Sequence, residues 1–150
     1  MFKGVFGWIF AVGAVLCLFA VTGCGGSSSD EALTKAEFEK QAGAICKEAE
    51  VKRAKVISSI VEQADPKGNV QAQQEQLIKK AIPTYEEAAQ QIDDLGAPEG
   101  QEEKVGVLVK EMEAAAEKSM ADPHTAATSN IFFRKANELA QEYKLAGCVI

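Results

Sequence analysis

The chain reads as an all-α protein, an antiparallel up-down-up-down four-helix bundle, on three observations. Apolar residues recur at i, i+3, i+4 and i+7 through most of the sequence after residue 34. Clusters rich in proline and glycine, or an Asp-Pro pair, interrupt that pattern at 65–69, 96–100 and 122–123. No stretch alternates apolar and polar residues long enough to make a pair of strands. Four amphipathic segments joined by short turns bury their stripes most simply by packing side by side in alternating directions.

The first helix is expected over residues 34–64. Thr34 and Glu37 have the S/T-x-x-E spacing of a capping box, and Phe38, Ala42, Ile45, Ala49, Val56, Ile60 and Val61 follow at helical period. Asp65-Pro66-Lys67-Gly68-Asn69 ends it. A second helix spans 70–95, with Leu77, Ile78, Ala81, Ile82, Tyr85, Ala88, Ala89 and Ile92 on its apolar side; the Gln-rich run 71–76 is a solvated face of it. Pro83 falls inside this pattern, where it removes a backbone donor, so a kink or break is expected near it. A third helix over 101–120 carries Val105, Leu108, Val109, Met112, Ala115, Ala116 and Met120. The fourth is anchored by Phe132, Phe133, Ala136, Leu139, Ala140 and Tyr143, with Gly147 as its terminator.

Ahead of these helices lies a different kind of segment. Lys3 precedes an apolar run from Val5 to Ala20, and small residues lead to Cys24 in Val21-Thr22-Gly23-Cys24. That order resembles the signal peptide and lipobox of a bacterial lipoprotein. The apolar run is near the short limit for a membrane span, and Gly23, Gly25 and Gly26 bound it where a retained span would carry Lys or Arg. The resemblance implies removal of residues 1–23 and a diacylglyceryl group on the Cys24 thiol. Two acyl chains hold a protein stably, where one does so reversibly. Residues 24–33, rich in glycine and serine, would then be a lipidated flexible tether, and 34–150 a single helical domain.

Charge and cysteines narrow the function classes. The formal charge is −6, and loss of Lys3 with the signal takes it to −7. No Lys/Arg stripe offsets that charge, which disfavours nucleic acid and a second, electrostatic contact with anionic lipid. With Cys17 in the signal and Cys24 lipidated, Cys46 and Cys148 remain as the domain's pair. In an oxidising compartment such a pair forms a disulfide, and an antiparallel bundle brings the start of its first helix beside the end of its last. A redox or metal pair is the alternative, without CxxC spacing or a nearby histidine to recommend it.

A search for catalytic chemistry finds no constellation. His124 is the sole histidine, in the turn Asp122-Pro123-His124-Thr125, and reads as a surface polar residue rather than a metal ligand or base. The pairs Glu86-Glu87, Asp93-Asp94 and Glu102-Glu103 diverge by about 100° on a helix and do not present two carboxylates to one point. Di-iron Glu-x-x-His, EF-hand, Gly-x-Ser-x-Gly and phosphate-loop patterns are missing from the sequence. No enzyme, metal or cofactor is therefore expected. Tyr85, Met112, Met120, Phe132, Phe133 and Tyr143 read as core, with a cavity between helices near Pro83 as the functional alternative.

Beyond the lipobox, the tether, Leu33-Thr34-Lys35-Ala36-Glu37-Phe38, Ala44-Ile45-Cys46, Leu95-Gly96-Ala97-Pro98 and Ala146-Gly147-Cys148 resemble small secreted lipoproteins of actinobacteria. That resemblance implies a small helical domain with one disulfide and carries no activity with it. The expected function is a lipid-anchored binding or interaction module on the outer face of a bacterial membrane, its partner an unknown envelope protein or small ligand. The alternative is a small-molecule carrier or sensor with an apolar cavity between helices.

Overall fold

The first helix begins where its cap predicts. Thr34 accepts from the Glu37 amide at 3.3 Å and the Glu37 carboxylate accepts from the Thr34 amide at 2.9 Å, a complete capping box. The computed structural model describes residues 33–150; the lipobox, Cys24 and the tether as far as residue 32 lie outside them. Its helices are α1 (Lys35–Gln63), α2 (Val70–Asp94), α3 (Glu102–Ala121), α4 (Pro123–Thr128) and α5 (Arg134–Glu142), followed by a 3₁₀ turn at Ala146–Cys148. The fold is all-α: the described residues contain no strand.

Two sequence expectations need correction. The second helix is not broken at Pro83: α2 runs continuously from Val70 to Asp94. Pro83 lies on the exposed side of the helix, and beside it the Thr84 hydroxyl donates to the Ala81 carbonyl at 2.7 Å. The expected fourth helix is α5, which starts after both phenylalanines, and a short helix not expected from the sequence, α4, precedes it. Asp122 caps the short α4 by accepting from the Thr125 amide at 3.0 Å, and Phe132 and Phe133 precede α5 rather than lie within it.

Gly147 does not end α5 either. Lys144 adopts the left-handed conformation (φ 58°), and the Leu145 and Lys144 amides donate to the Ala140 and Gln141 carbonyls, a Schellman closure made without glycine. At the end of α2, by contrast, Gly96 takes the left-handed position (φ 72°) as the Leu95-Gly96-Ala97-Pro98 break leads one to expect.

α1 packs chiefly on α2 and on the terminal 3₁₀ turn; α2 also packs on α3 and α4, and α3 on α5. The core takes Phe38 and Cys46 from α1, Tyr85 and Ile92 from α2, and Leu108 and Met112 from α3. Phe133, Leu145 and Cys148 complete it from the C-terminal part. Ser119, buried in α3, returns its hydroxyl to the Ala115 carbonyl at 2.7 Å, so its polarity is satisfied within the helix.

Candidate functional site

Cys46 and Cys148 are disulfide-bonded, with Cα atoms 4.9 Å apart and 102 residues between them in sequence. α1 turns Cys46 inward in line with Phe38, Ala42 and Ala49, and the 3₁₀ turn brings Cys148 to it. Gly147 makes this approach possible, since a Cβ there would stand 2.6 Å from the Cys46 carbonyl oxygen. Three further ties hold the C-terminal segment. Asn137 donates to the Ile150 carbonyl at 2.7 Å and accepts from its amide at 3.0 Å. The Lys144 ammonium meets the Glu39 carboxylate at 2.8 Å and holds it below the usual carboxylate range. The Tyr143 hydroxyl donates to Gln101 at 2.9 Å.

The aromatic wall is core. Tyr85, Phe133, Tyr143 and Met112 are all but fully buried, with Tyr85 edge-on to Phe133 at 5.5 Å and Phe38 edge-on to Tyr143 at 5.4 Å. Phe132 is partly buried against this core, while Met120 is 42% exposed. His124 is exposed in the first turn of α4, and all six members of the acidic pairs are exposed. Among the described residues no three His, Cys, Asp or Glu side chains converge as a metal site would require.

One polar pair in the interior is unexpected. The Tyr85 hydroxyl and Nη1 of half-buried Arg53 are both buried without a hydrogen-bond partner. Burial pushes the Tyr85 phenol far up, and it lowers Arg53 against the opposing fields of Glu50 and Tyr85. Arg53 continues the inward-facing line of Ala49, and the core ends at this point along α1.

From there the seam between α1 and α2 changes character. Ile45, Ala49, Thr84 and Ala88 close it so tightly that no water fits, and Lys52 bridges it by pairing with Glu87 at 3.0 Å and Glu48 at 3.1 Å. Beyond Lys52 the seam opens into a trough of about 440 Å³ lined by Lys55, Val56, Ser59, Ile60 and Lys80. A second, mostly polar space of about 250 Å³ shares Ser59, Ile60 and Lys80 and is otherwise lined by Gln63, Ala64, Asp65, Gln73 and Gln76 at the turn. There Nε2 of the Gln73 side chain donates to the Asp65 carbonyl at 2.8 Å. Neither Lys55 nor Lys80 makes an ion pair among the described residues. Residues 50–80 hold six Lys/Arg against four Asp/Glu, a charge of +2, whereas the rest of 33–150 holds nine against sixteen, a charge of −7.

Periodicity marked Val56 and Ile60 as apolar but gave no sign that they are left uncovered. The one available signal was the local excess of lysine, hidden within a negative total. No protein-family model, curated protein or solved structure matches the chain. Among the described residues, no helix is long and apolar enough to cross a membrane.

Proposed function

We propose that the protein is a lipid-anchored helical binding module, held on the outer face of a bacterial membrane by a diacylglyceryl group on Cys24 and acting by binding rather than catalysis. Its helices run up-down-up-down, with α5 as the fourth leg, an arrangement supported by the neighbour relations α1–α2, α2–α3 and α3–α5. The observation that carries the binding reading is the contrast within the α1–α2 hairpin. Its half nearest the disulfide is sealed, while its distal half leaves Val56, Ile57 and Ile60 half-covered and Val61 and Val70 more than 60% exposed. The bonded cysteine pair agrees with an oxidising compartment, and the Lys3-to-Cys24 pattern supplies the anchor.

Two experiments test the two halves of this reading. Cys24→Ser should abolish incorporation of labelled palmitate in the native host, and normal labelling of that variant rejects the anchor. Photocrosslinkers at Val61 and Val70 should capture an envelope protein that the same group at Glu103, on the acidic body, does not. Equal capture from both places rejects the hairpin as the binding face. The carrier reading is favoured by a separate observation, the trough itself, which lies away from the packed aromatic residues first considered for it.

A further inference from the structure

We propose that the trough between the distal halves of α1 and α2 binds a single-chain anionic amphiphile. Its carboxylate or phosphate head lies between the ammonium groups of Lys55 and Lys80, and its hydrocarbon chain lies along Val56 and Ile60. This deepens the binding-module reading, on which it rests, and is independent of the lipid anchor.

Four features of the trough select that ligand. Its volume, about 440 Å³, lies within the roughly 300–1,000 Å³ of small-molecule sites. Its floor is apolar where Val56 and Ile60 sit one turn apart, and the stems of Lys55 and Lys80 can extend that cover over a chain while their heads stay in water. The two lysines come from opposite helices and have no carboxylate partner, unlike Lys52, which has two. A charge-assisted contact to an anion therefore replaces water alone, not an existing bridge.

The fourth feature is polarity and closure. Lys55 borders the body end alone, Lys80 borders both spaces, and Asp65 stands at the turn end, so an anionic head is drawn toward Lys55 and repelled from the turn. Both ends are stopped, one by the Lys52–Glu87 pair and the other by the Gln73–Asp65 bond. From Lys52 to the end of α1 at Gln63 the helix rises about 16 Å, which bounds the length available to a single chain.

The test uses the full chain in nanodiscs of neutral phosphatidylcholine, with dodecyl phosphate carrying a photoreactive diazirine in its tail and the matching alcohol as neutral control. Crosslinks from the phosphate probe should fall within residues 56–64 and exceed those from the alcohol on the order of tenfold. Lys55→Glu combined with Lys80→Glu should reduce phosphate-probe labelling to the alcohol's level. Ser59→Trp, which fills the trough without touching its charge, should block both probes there. Both sets of changes fall on exposed positions, and intact helicity and disulfide confirm that each variant is folded.

Equal labelling by the alcohol, crosslinks outside the trough, or labelling that survives charge reversal overturns the proposal. So does full displacement by inorganic phosphate, which marks an anion site that ignores hydrocarbon. Protection of the hairpin by phosphatidylglycerol discs without any probe would assign the trough to a bilayer surface and equally overturn it. A negative result here leaves capture of an envelope protein from Val61 and Val70 standing, because that measurement reads a different occupant.

Discussion

The two halves of the α1–α2 hairpin are built from the same kinds of residue and end in different states. Near the disulfide, small side chains at Ala49 and Ala88 let the helices approach, the core and the C-terminal segment cover them, and a bridged Lys52 seals the seam. Past Arg53 the helices keep their apolar periodicity, but α1 has little besides α2 to rest on. A helix stripe stabilises a fold only where something covers it. The body thus supplies the stability and the distal half supplies surface for binding.

Mutations should separate the body from the distal half of the hairpin by size of effect. Phe133→Ala removes a buried ring that packs on Tyr85 and should cost about 3–5 kcal/mol, whereas Ile60→Ala, at a half-covered position, should cost about 1 kcal/mol or less. Urea unfolding checks the pair, and equal losses would erase the distinction. Replacing both Cys46 and Cys148 by alanine should cost about 2–5 kcal/mol, since the bridge closes a loop of 102 residues. Gly147→Ala drives a methyl group toward the Cys46 carbonyl and should cost about 1–3 kcal/mol by the same measurement.

How much of this was readable in the sequence follows the range of each interaction. The capping box at Thr34 and Glu37 is local, and it places the start of α1 at Lys35. The breaks after α1 and α2 are marked by prolines and glycines that act on their own backbone. The Cys46–Cys148 pairing followed from a count of cysteines combined with topology. The end of α5 was not readable, because Lys144 takes a left-handed conformation usually signalled by glycine or asparagine. Asn137 gave no sign of gripping Ile150, a contact set by tertiary folding. Pro83 does not break α2, because it lies outside the apolar stripe on the exposed side and the packed stripe holds the helix together across it. The trough is not legible in the sequence, because a period of 3.6 says which face is apolar and is silent on whether a neighbour covers it.

Smaller effects sharpen the comparison at its boundary. Tyr85→Phe removes a buried hydroxyl with no partner and should leave stability unchanged or raise it by about 1 kcal/mol, the reverse of the usual outcome for a core tyrosine. A clear loss in urea unfolding would mean that the hydroxyl is satisfied after all. Smallest is the effect of Lys144→Ala, which should let the Glu39 pKa rise toward its usual value in an NMR titration. Because the folded-state value is lowered, the contribution of this pair is complete above the unfolded carboxylate's pKa and is lost as pH falls through the folded one. An unchanged Glu39 titration in the variant would remove Lys144 from the ties that hold the C-terminal segment to α1.

The central claim, that one continuous helix passes from a sealed body to an uncovered arm, is tested most directly by native-state hydrogen exchange along α1 in the full chain. Amides of residues 38–49 should exchange only with global unfolding, and those of 54–63 through a smaller opening of markedly lower free energy. Equal protection along the whole of α1 would contradict the account.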